Sequence, residues 1–126
     1  GRCLLDSPTL VKNYFKVHFA GAERETFVVV FLDSQMRVIA TEELFAGTLQ
    51  QTSVYPREVV KRALHHNAGG VIFGHPHPSG QCEPSRADEF LTQTLKSALS
   101  LVDVRVLDHM VVSGSTCTSF AERGLL

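Results

Sequence analysis

The hydrophobic positions along the chain first indicate three helices. Ser7 and Pro8 are typical of a helix start, because a hydroxyl can cap the first turn and proline fits the first helical position. The first helix is expected to end near Gly21, the second to run from Pro56 to residues 67–70, and the third to cover residues 90–99. Their apolar faces are predicted to carry, in chain order, Leu10, Val11, Tyr14, Phe15 and Phe19, then Val59, Val60, Ala63 and Leu64, then Phe90, Leu91, Leu95, Ala98 and Leu99.

The remaining hydrophobic runs predict β-strands. Residues 26–32 are continuously apolar and rich in β-branched side chains, which is typical of a strand buried on both faces. A turn at 33–35 leads into a second strand at 36–45, expected to pair antiparallel with the first. Further strands are predicted at 70–74, 102–106, 109–112 and 116–120, whereas 48–55 is too polar to assign. This mixture predicts an α/β fold with one mixed β-sheet flanked by helices, and it leaves the strand order open.

Length and composition fit one globular domain over residues 1–126. The chain is 44% hydrophobic and 20% charged, and a domain of this size buries roughly two-thirds of its unfolded surface. Its 12 basic residues against 13 acidic ones argue against direct nucleic-acid binding by this fragment, because nucleic-acid modules carry an excess of Lys and Arg. The oligomeric state is left open.

The chain carries neither a membrane span nor a signal-peptide pattern. No run approaches ~18 apolar residues. Its cysteines are Cys3, Cys82 and Cys117, and their odd number and wide spacing disfavour a disulfide framework or a thiolate zinc site. We therefore expect a reducing, cytoplasmic location. Because the sequence opens with Gly1, the natural protein is expected to extend further upstream.

The candidate chemistry lies between the predicted strand at 70–74 and the third helix. His75 and His77 leave the strand on one face, with Cα atoms ~6.5 Å apart, so that both imidazoles can reach one ion. If Ser85 is the N-cap of the helix, Asp88 lies in its first turn, where strand end and helix start converge. Two nitrogens and one carboxylate favour zinc or another late first-row metal over magnesium or calcium, and a fourth position left for water is typical of a catalytic site.

Hydrolysis needs a second carboxylate to move the proton of an activated water. Glu23 and Glu25 precede the first strand, and Glu25 is better placed because it lies directly before the buried run. Ser85 could donate a hydrogen bond to a developing oxyanion. Cys82, in the intervening loop, could approach the metal, although an inert thiol explains it better. His109 is interpreted as a strand residue near the sheet end rather than as a ligand, although it is the first substitute should one of the three ligands be wrong.

Purely structural explanations compete with each of these roles. Ser85 and Asp88 also fit a helix capping box, although Glu or Gln is the usual third residue of that motif. His75 and His77 could line a turn stiffened by Pro76 and Pro78, and Glu25 could be an ordinary charge at a strand end. Taken together, however, the two histidines, their spacing and the flanking strand and helix are hard to explain by structure alone.

The chain resembles a known family. The spacing His75-x-His77-x7-Ser85-x2-Asp88 matches the JAMM (MPN+) metalloprotease motif without a gap. The wider sequence resembles the RadC family, in blocks spread over nearly the whole chain: Glu25-Thr-Phe27, Phe31-Leu-Asp33, Glu43-Leu-Phe-Ala-Gly-Thr48, Tyr55-Pro-Arg-Glu-Val59, His77-Pro-Ser-Gly80, Val106-Leu-Asp-His109 and Ser119-Phe-Ala-Glu-Arg-Gly-Leu125.

The resemblance implies a JAMM-like fold, related to the cytidine deaminases, with zinc held by His75, His77 and Asp88. It assigns Ser85 to the oxyanion and Glu25 to the catalytic glutamate. Two features depart from the family pattern. Pro76 stands where the family usually carries Asn, which could stiffen or shift the histidine pair. The helix-hairpin-helix segment that often precedes this domain is missing, and with it the most obvious DNA-binding element.

Three functions follow from these observations. The first is a zinc-dependent metallohydrolase, a metallopeptidase that cleaves a peptide or isopeptide bond in a protein or peptide substrate. The second is a non-catalytic, metal-binding module associated with DNA repair or recombination. A metal-dependent nuclease or deaminase ranks below both, because the deaminase signature His-x-Glu with Pro-Cys-x-x-Cys is absent and nucleases typically gather carboxylates around magnesium.

Overall fold

A computed structural model of the chain describes residues 3–46, 54–78 and 80–126. The segment 48–55, for which the sequence predicts no secondary structure, lies mostly outside the described residues. The helices are α1 (Pro8–His18), α2 (Pro56–His65) and α3 (Arg86–Ser100). The strands are β1 (Thr26–Leu32), β2 (Val38–Ala46), β3 (Gly70–Pro76), β4 (Arg105–Ser113) and β5 (Thr116–Ser119).

The five described strands form one sheet in the order β2-β1-β3-β4-β5. β1 pairs antiparallel with both β2 and β3, β3 pairs parallel with β4, and β4 pairs antiparallel with β5. The β3–α3–β4 segment is a crossover unit, which places the start of α3 at the C-terminal end of β3. The prediction of a mixed sheet flanked by helices is confirmed.

Helices cover both faces of the sheet. α2 and α3 pack on one face against Phe27, Phe31 and Phe73, and α1 packs on the other against Val28, Val30 and Ile72. β1 is fully buried along its whole length, as its continuous apolar run predicts. At Gly74 a Cβ atom would lie 2.2 Å from Phe15, so only glycine lets α1 approach the sheet this closely.

Several predicted boundaries and faces were wrong. The second strand begins at Val38, because Met36 adopts a left-handed turn conformation with φ of 64°. The third strand continues beyond residue 74 through Pro76. Pro76 does not interrupt the strand, because pairing with β1 has already ended at Gly74 and the hydrogen bond to β4 is donated by His77 N–H, to the Val112 carbonyl at 2.8 Å. Leu64 and Phe90, predicted on apolar faces, are 56% and 76% exposed.

The strands predicted separately at 102–106 and 109–112 are one strand, β4, which begins at Arg105. A β-bulge explains the error. Val71 pairs with Val106 and Ile72 pairs with Asp108, so Leu107 is the extra residue. Because a bulge shifts the alternation of side chains by one position, Val106 and His109 both face α3 although they are three positions apart.

A charge cluster joins α2 to β2. Glu42 accepts hydrogen bonds from the Arg62 guanidinium at 2.8 and 2.5 Å and lies 3.1 Å from His66 Nε2. Hydrogen bonding from Arg62 lowers the pKa of Glu42 from its ordinary 4.5 to about 2. A carboxylate with a depressed pKa stabilises the fold above its unfolded pKa, and this contribution is lost as the pH falls toward the folded value.

Glu42→Gln is therefore expected to lower the free energy of unfolding by roughly 1 kcal/mol at pH 7, a value set by the partial exposure of the pair. The difference between the wild type and the variant should shrink between pH 4.5 and pH 2. Urea unfolding at pH 7 and pH 3 measures it. The control is Glu43→Gln, whose partner Arg24 is 71% exposed, and it should change little. Equal losses in both variants would contradict this assignment.

Candidate metal centre

Three candidate ligands meet where β3 ends and α3 begins. His75 is the second-to-last residue of β3, His77 directly follows the strand, and Asp88 lies in the first turn of α3. The side chains of His75 and Asp88 are 0% and 2% exposed, and that of His77 is 15% exposed. One ligand atom from each residue can be chosen so that all three lie within 4.8 Å of one another. The group could therefore hold a metal ion.

The distances within this group are short. His75 Nε2 lies 3.0 Å from His77 Nε2 and 3.4 Å from Asp88 Oδ1, and His77 Nε2 lies 3.5 Å from Asp88 Oδ2. The two histidines are the closest pair in the group, and their ring centroids are 4.8 Å apart. Both Nε2 atoms and both carboxylate oxygens thus point into one volume, whose mouth is the partly exposed His77.

The helix cap explains why Asp88 faces the histidines. Ser85 is the N-cap of α3, and its hydroxyl oxygen accepts a hydrogen bond from Asp88 N–H at 3.0 Å. Asp88 Oδ2 in turn accepts one from Ser85 N–H at 2.9 Å, which completes a capping box. The expected capping box and the expected convergence on His75 and His77 therefore occur together, and the cap fixes the orientation of the carboxylate.

The loop between His77 and Ser85 is held at several points. His77 Nδ1 lies 2.7 Å from the Gln81 carbonyl oxygen, so this nitrogen carries the hydrogen and donates it. Glu83 accepts two hydrogen bonds from Arg123 at 2.6 and 2.9 Å. Cys82 hydrogen-bonds with the Thr118 and Thr116 side chains, which lowers the pKa of its thiol. Among the described residues, the group that could hold a metal does not include Cys82.

Burial and hydrogen bonding shift the three pKa values in different directions. Burial lowers the pKa of His75 against the opposing effect of Asp88. The hydrogen bond with Asp88 raises the pKa of His77. Burial acts to raise the pKa of Asp88, but the neighbouring His75 and His77 outweigh this effect and keep the carboxylate ionised. A proton on His77 and a metal ion therefore compete for the same lone pair.

The donor set fits a zinc-like ion. Because His77 donates from Nδ1, its Nε2 presents a lone pair to His75 Nε2 and to Asp88. Nitrogen and carboxylate lone pairs that converge within 3.5 Å repel one another unless a proton or a cation lies between them. Two imidazole nitrogens and one carboxylate suit zinc, whereas magnesium and calcium prefer oxygen ligands alone.

Glu25 approaches this site from β1. The pairing of β1 with β3 reaches Val28 and Gly74, and the same antiparallel register continued outward brings Glu25 level with His77. The charge of Glu25 also acts to raise the pKa of both His75 and His77, so the three groups interact electrostatically. Glu23 instead lines a cavity with His18, Phe19 and Thr26 on the α1 side of the sheet. The choice of Glu25 over Glu23 stays a prediction that this placement supports.

The interpretation of His109 as a strand residue rather than a metal ligand is confirmed, but its predicted position near the sheet end is wrong. His109 lies in the middle of β4, is 0% exposed, and its Nε2 lies 2.7 Å from His75 Nδ1. It therefore contacts a candidate ligand from behind and does not belong to the group that could hold a metal. The signal available in the sequence was the block Val106-Leu-Asp-His109. Without knowledge of the bulge, however, the alternation of side chains along the strand predicts the wrong face for this histidine.

Comparisons with known proteins agree with this architecture. A model of the RadC-like JAB domain family matches residues 5–125. A UPF0758 protein of Nitrosospira multiformis is 64% identical over 122 residues, which cover 97% of this chain and 54% of that protein. UPF0758 proteins of Variovorax paradoxus and Nitrosomonas eutropha are 62% and 60% identical over 125 and 123 residues, covering 99% and 98% of this chain and 56% and 55% of those proteins. The chain thus spans about half the length of the curated relatives it matches.

None of the described helices is long and apolar enough to cross a membrane.

Proposed function

The chain belongs to the RadC-like JAB domain family, and from this premise we propose that it is a zinc-dependent metallopeptidase that cleaves a peptide or isopeptide bond. The observation that carries the proposal is the convergence of His75, His77 and Asp88, whose facing atoms are 3.0 to 3.5 Å apart. Since the curated relatives are about twice as long as this chain, the proposal concerns the chemistry of this domain.

The three residues would hold the metal in unequal ways. His75 and Asp88 are buried and oriented by the fold, whereas His77 is at the mouth of the site and is oriented by its hydrogen bond to Gln81. When bound, zinc lowers the pKa of a coordinated water toward about 7 and polarises a carbonyl oxygen. The open side of the site faces the exposed end of the group, where a substrate can enter.

Two further residues would act on the substrate. Glu25 would take a proton from the attacking water and return it to the leaving amine, so that the amine departs neutral. Ser85 is exposed, and its oxygen accepts the Asp88 N–H, which leaves its own hydrogen free to donate to the oxygen of the scissile carbonyl. The same serine would then cap α3 and stabilise the negative charge that develops on that oxygen.

The proposed partner is a protein or peptide substrate, in a reducing compartment such as the cytoplasm. All three cysteines are free in the structure, in keeping with such a compartment. The nearly balanced charge of 12 basic and 13 acidic residues disfavours the alternative of a DNA-binding module.

Cleavage of a peptide and isopeptide library by the zinc-loaded chain tests the proposal. We expect sequence-dependent hydrolysis that a chelator abolishes and added zinc restores. The control is the His77→Ala, Asp88→Ala double variant, which should be inactive at every zinc concentration. Hydrolysis that is equal in the double variant, or that persists after chelation, would overturn the proposal.

A further inference from the structure

His109 connects the candidate metal ligands from behind the site. Its ring is fully buried between Phe73 and Phe120, and it stacks on Phe120 with centroids 4.4 Å apart. Its two ring nitrogens have different neighbours. Nε2 lies 2.7 Å from His75 Nδ1, and Nδ1 lies 2.6 Å from the Thr92 hydroxyl oxygen.

The directions of these hydrogen bonds follow from the backbone. The Asp88 carbonyl oxygen can only accept, and the Thr92 hydroxyl donates to it at 2.7 Å. That bond uses the only hydrogen of Thr92 Oγ1, so the hydroxyl oxygen must accept from His109 Nδ1–H. A doubly protonated His109 would bury a cation whose ring nitrogens face only an imidazole and a hydroxyl, at a high cost in solvation. His109 Nε2 therefore bears a lone pair and accepts from His75 Nδ1–H.

We propose that His109, supported by Thr92, is a positioning residue that holds His75 in the tautomer whose Nε2 lone pair faces Asp88 and His77. This inference rests on the proposed metal site, to which it adds residues outside the ligand set. The opposite tautomer of His75 would direct an Nε2–H at Asp88 Oδ1, 3.4 Å away, and would occupy the lone pair that a metal needs.

The connection closes on itself. Asp88 anchors Thr92 through its backbone carbonyl, Thr92 orients His109, His109 orients His75, and His75 Nε2 lies beside the Asp88 carboxylate. The polar side chains of α3, β3 and β4 thus orient one another, and the Phe120 ring stacks on His109 and holds its plane. The β-bulge at Leu107 makes this possible, because it turns His109 toward α3.

Nitrogen-15 NMR of the metal-free chain tests the proposal without any activity measurement. In the wild type, the neutral His75 ring should carry its proton on Nδ1 alone. In His109→Phe, which keeps an aromatic ring beside Phe120, the acceptor is gone and His75 should shift toward the tautomer protonated at Nε2. An unchanged His75 tautomer in His109→Phe would overturn the proposal.

Zinc affinity, measured by competition with a chromophoric chelator, gives the second readout. His109→Phe should bind zinc about 10–100-fold more weakly, the usual effect of losing a group that orients a ligand. His109→Gln should recover part of this loss, because its amide oxygen can accept from His75 while its amide nitrogen donates to Thr92. Wild-type affinity in His109→Phe, or no recovery in His109→Gln, would count against the proposal.

Two further variants separate positioning from folding. Met110→Leu alters the adjacent buried residue, which packs on the α1 side, and should leave both zinc affinity and the His75 tautomer unchanged. If His109→Phe does not fold, Thr92→Val removes the hydroxyl alone and should weaken zinc binding in the same direction. Should the wild type bind no zinc, the proposed function fails, while the tautomer of His75 still decides this inference.

Discussion

Glu25→Gln is expected to bind zinc as the wild type does and to hydrolyse peptide substrates about 10²–10⁴-fold more slowly, the usual loss on removing a general base. The antiparallel register of β1 and β3, continued beyond Val28 and Gly74, brings Glu25 level with His77, and Glu25 does not belong to the group that could hold a metal. Its amide replacement keeps the size of the side chain and removes the basic oxygen. The turnover of a cleaved peptide and the zinc content of the same sample are the two measurements.

The neighbouring carboxylate provides a matched control. Glu23 is two residues away in the sequence, yet it lines a cavity on the α1 side of the sheet. Glu23→Gln should therefore keep both zinc and activity. If Glu25→Gln retains full turnover, or if Glu23→Gln loses as much as Glu25→Gln, the assignment of the general base is wrong.

Asp88→Asn is expected to weaken zinc binding on the order of 10²–10³-fold, because an anionic ligand becomes neutral. The helix should remain, since the amide oxygen of Asn can still accept from Ser85 N–H, as Asp88 Oδ2 does at 2.9 Å. Ser85→Ala should show the reverse pattern. It loses the N-cap hydroxyl, which costs about 1 kcal/mol of stability, and keeps all three candidate ligands.

Chelator competition for zinc and urea unfolding of the metal-free chains separate the two roles. Each variant is expected to change mainly one quantity: Asp88→Asn lowers the zinc affinity, and Ser85→Ala lowers the free energy of unfolding. Equal zinc affinity in the wild type and Asp88→Asn would show that the carboxylate serves the helix cap alone. A loss of zinc binding in Ser85→Ala as large as that in Asp88→Asn would show that the cap itself holds the site.

The part of the fold that the sequence predicts rests on local patterns. The continuous apolar run of β1 predicts burial on both faces, and Ser7-Pro8 predicts the start of α1. The spacing of Ser85 and Asp88 likewise predicts a helix cap and a ligand beside the histidine pair, because the geometry of one helical turn fixes the distance between them.

What the sequence did not predict depends on pairing between distant segments. A strand pattern that alternates through Val102, Val104 and Val106 does not reveal that Leu107 forms a bulge opposite β3, so the sequence alone predicts a position near the sheet end for His109. Phe90 fits the helical period of α3 but is 76% exposed, because the sheet contacts only the face that carries Asp88, Thr92 and Leu95. Periodicity shows which residues share a face, and tertiary packing determines how wide the buried face is.

The placement of Glu25 combines both kinds of information. Its position directly before β1 was visible in the sequence, whereas its proximity to His77 depends on the antiparallel register that pairs Val28 with Gly74. A shift of that register by one residue would turn the opposing side chains to the other face of the sheet. The candidate site is thus assembled from three elements, β1, β3 and α3, of which the motif in the sequence marks two.

The zinc content of the purified chain tests the central claim most directly. Elemental analysis after zinc loading and removal of free metal should give about one zinc ion per wild-type chain, as a single three-residue site implies. The His77→Ala, Asp88→Ala double variant, which loses two of the three candidate ligands, should retain almost none. Equal zinc content in the two proteins would contradict the account.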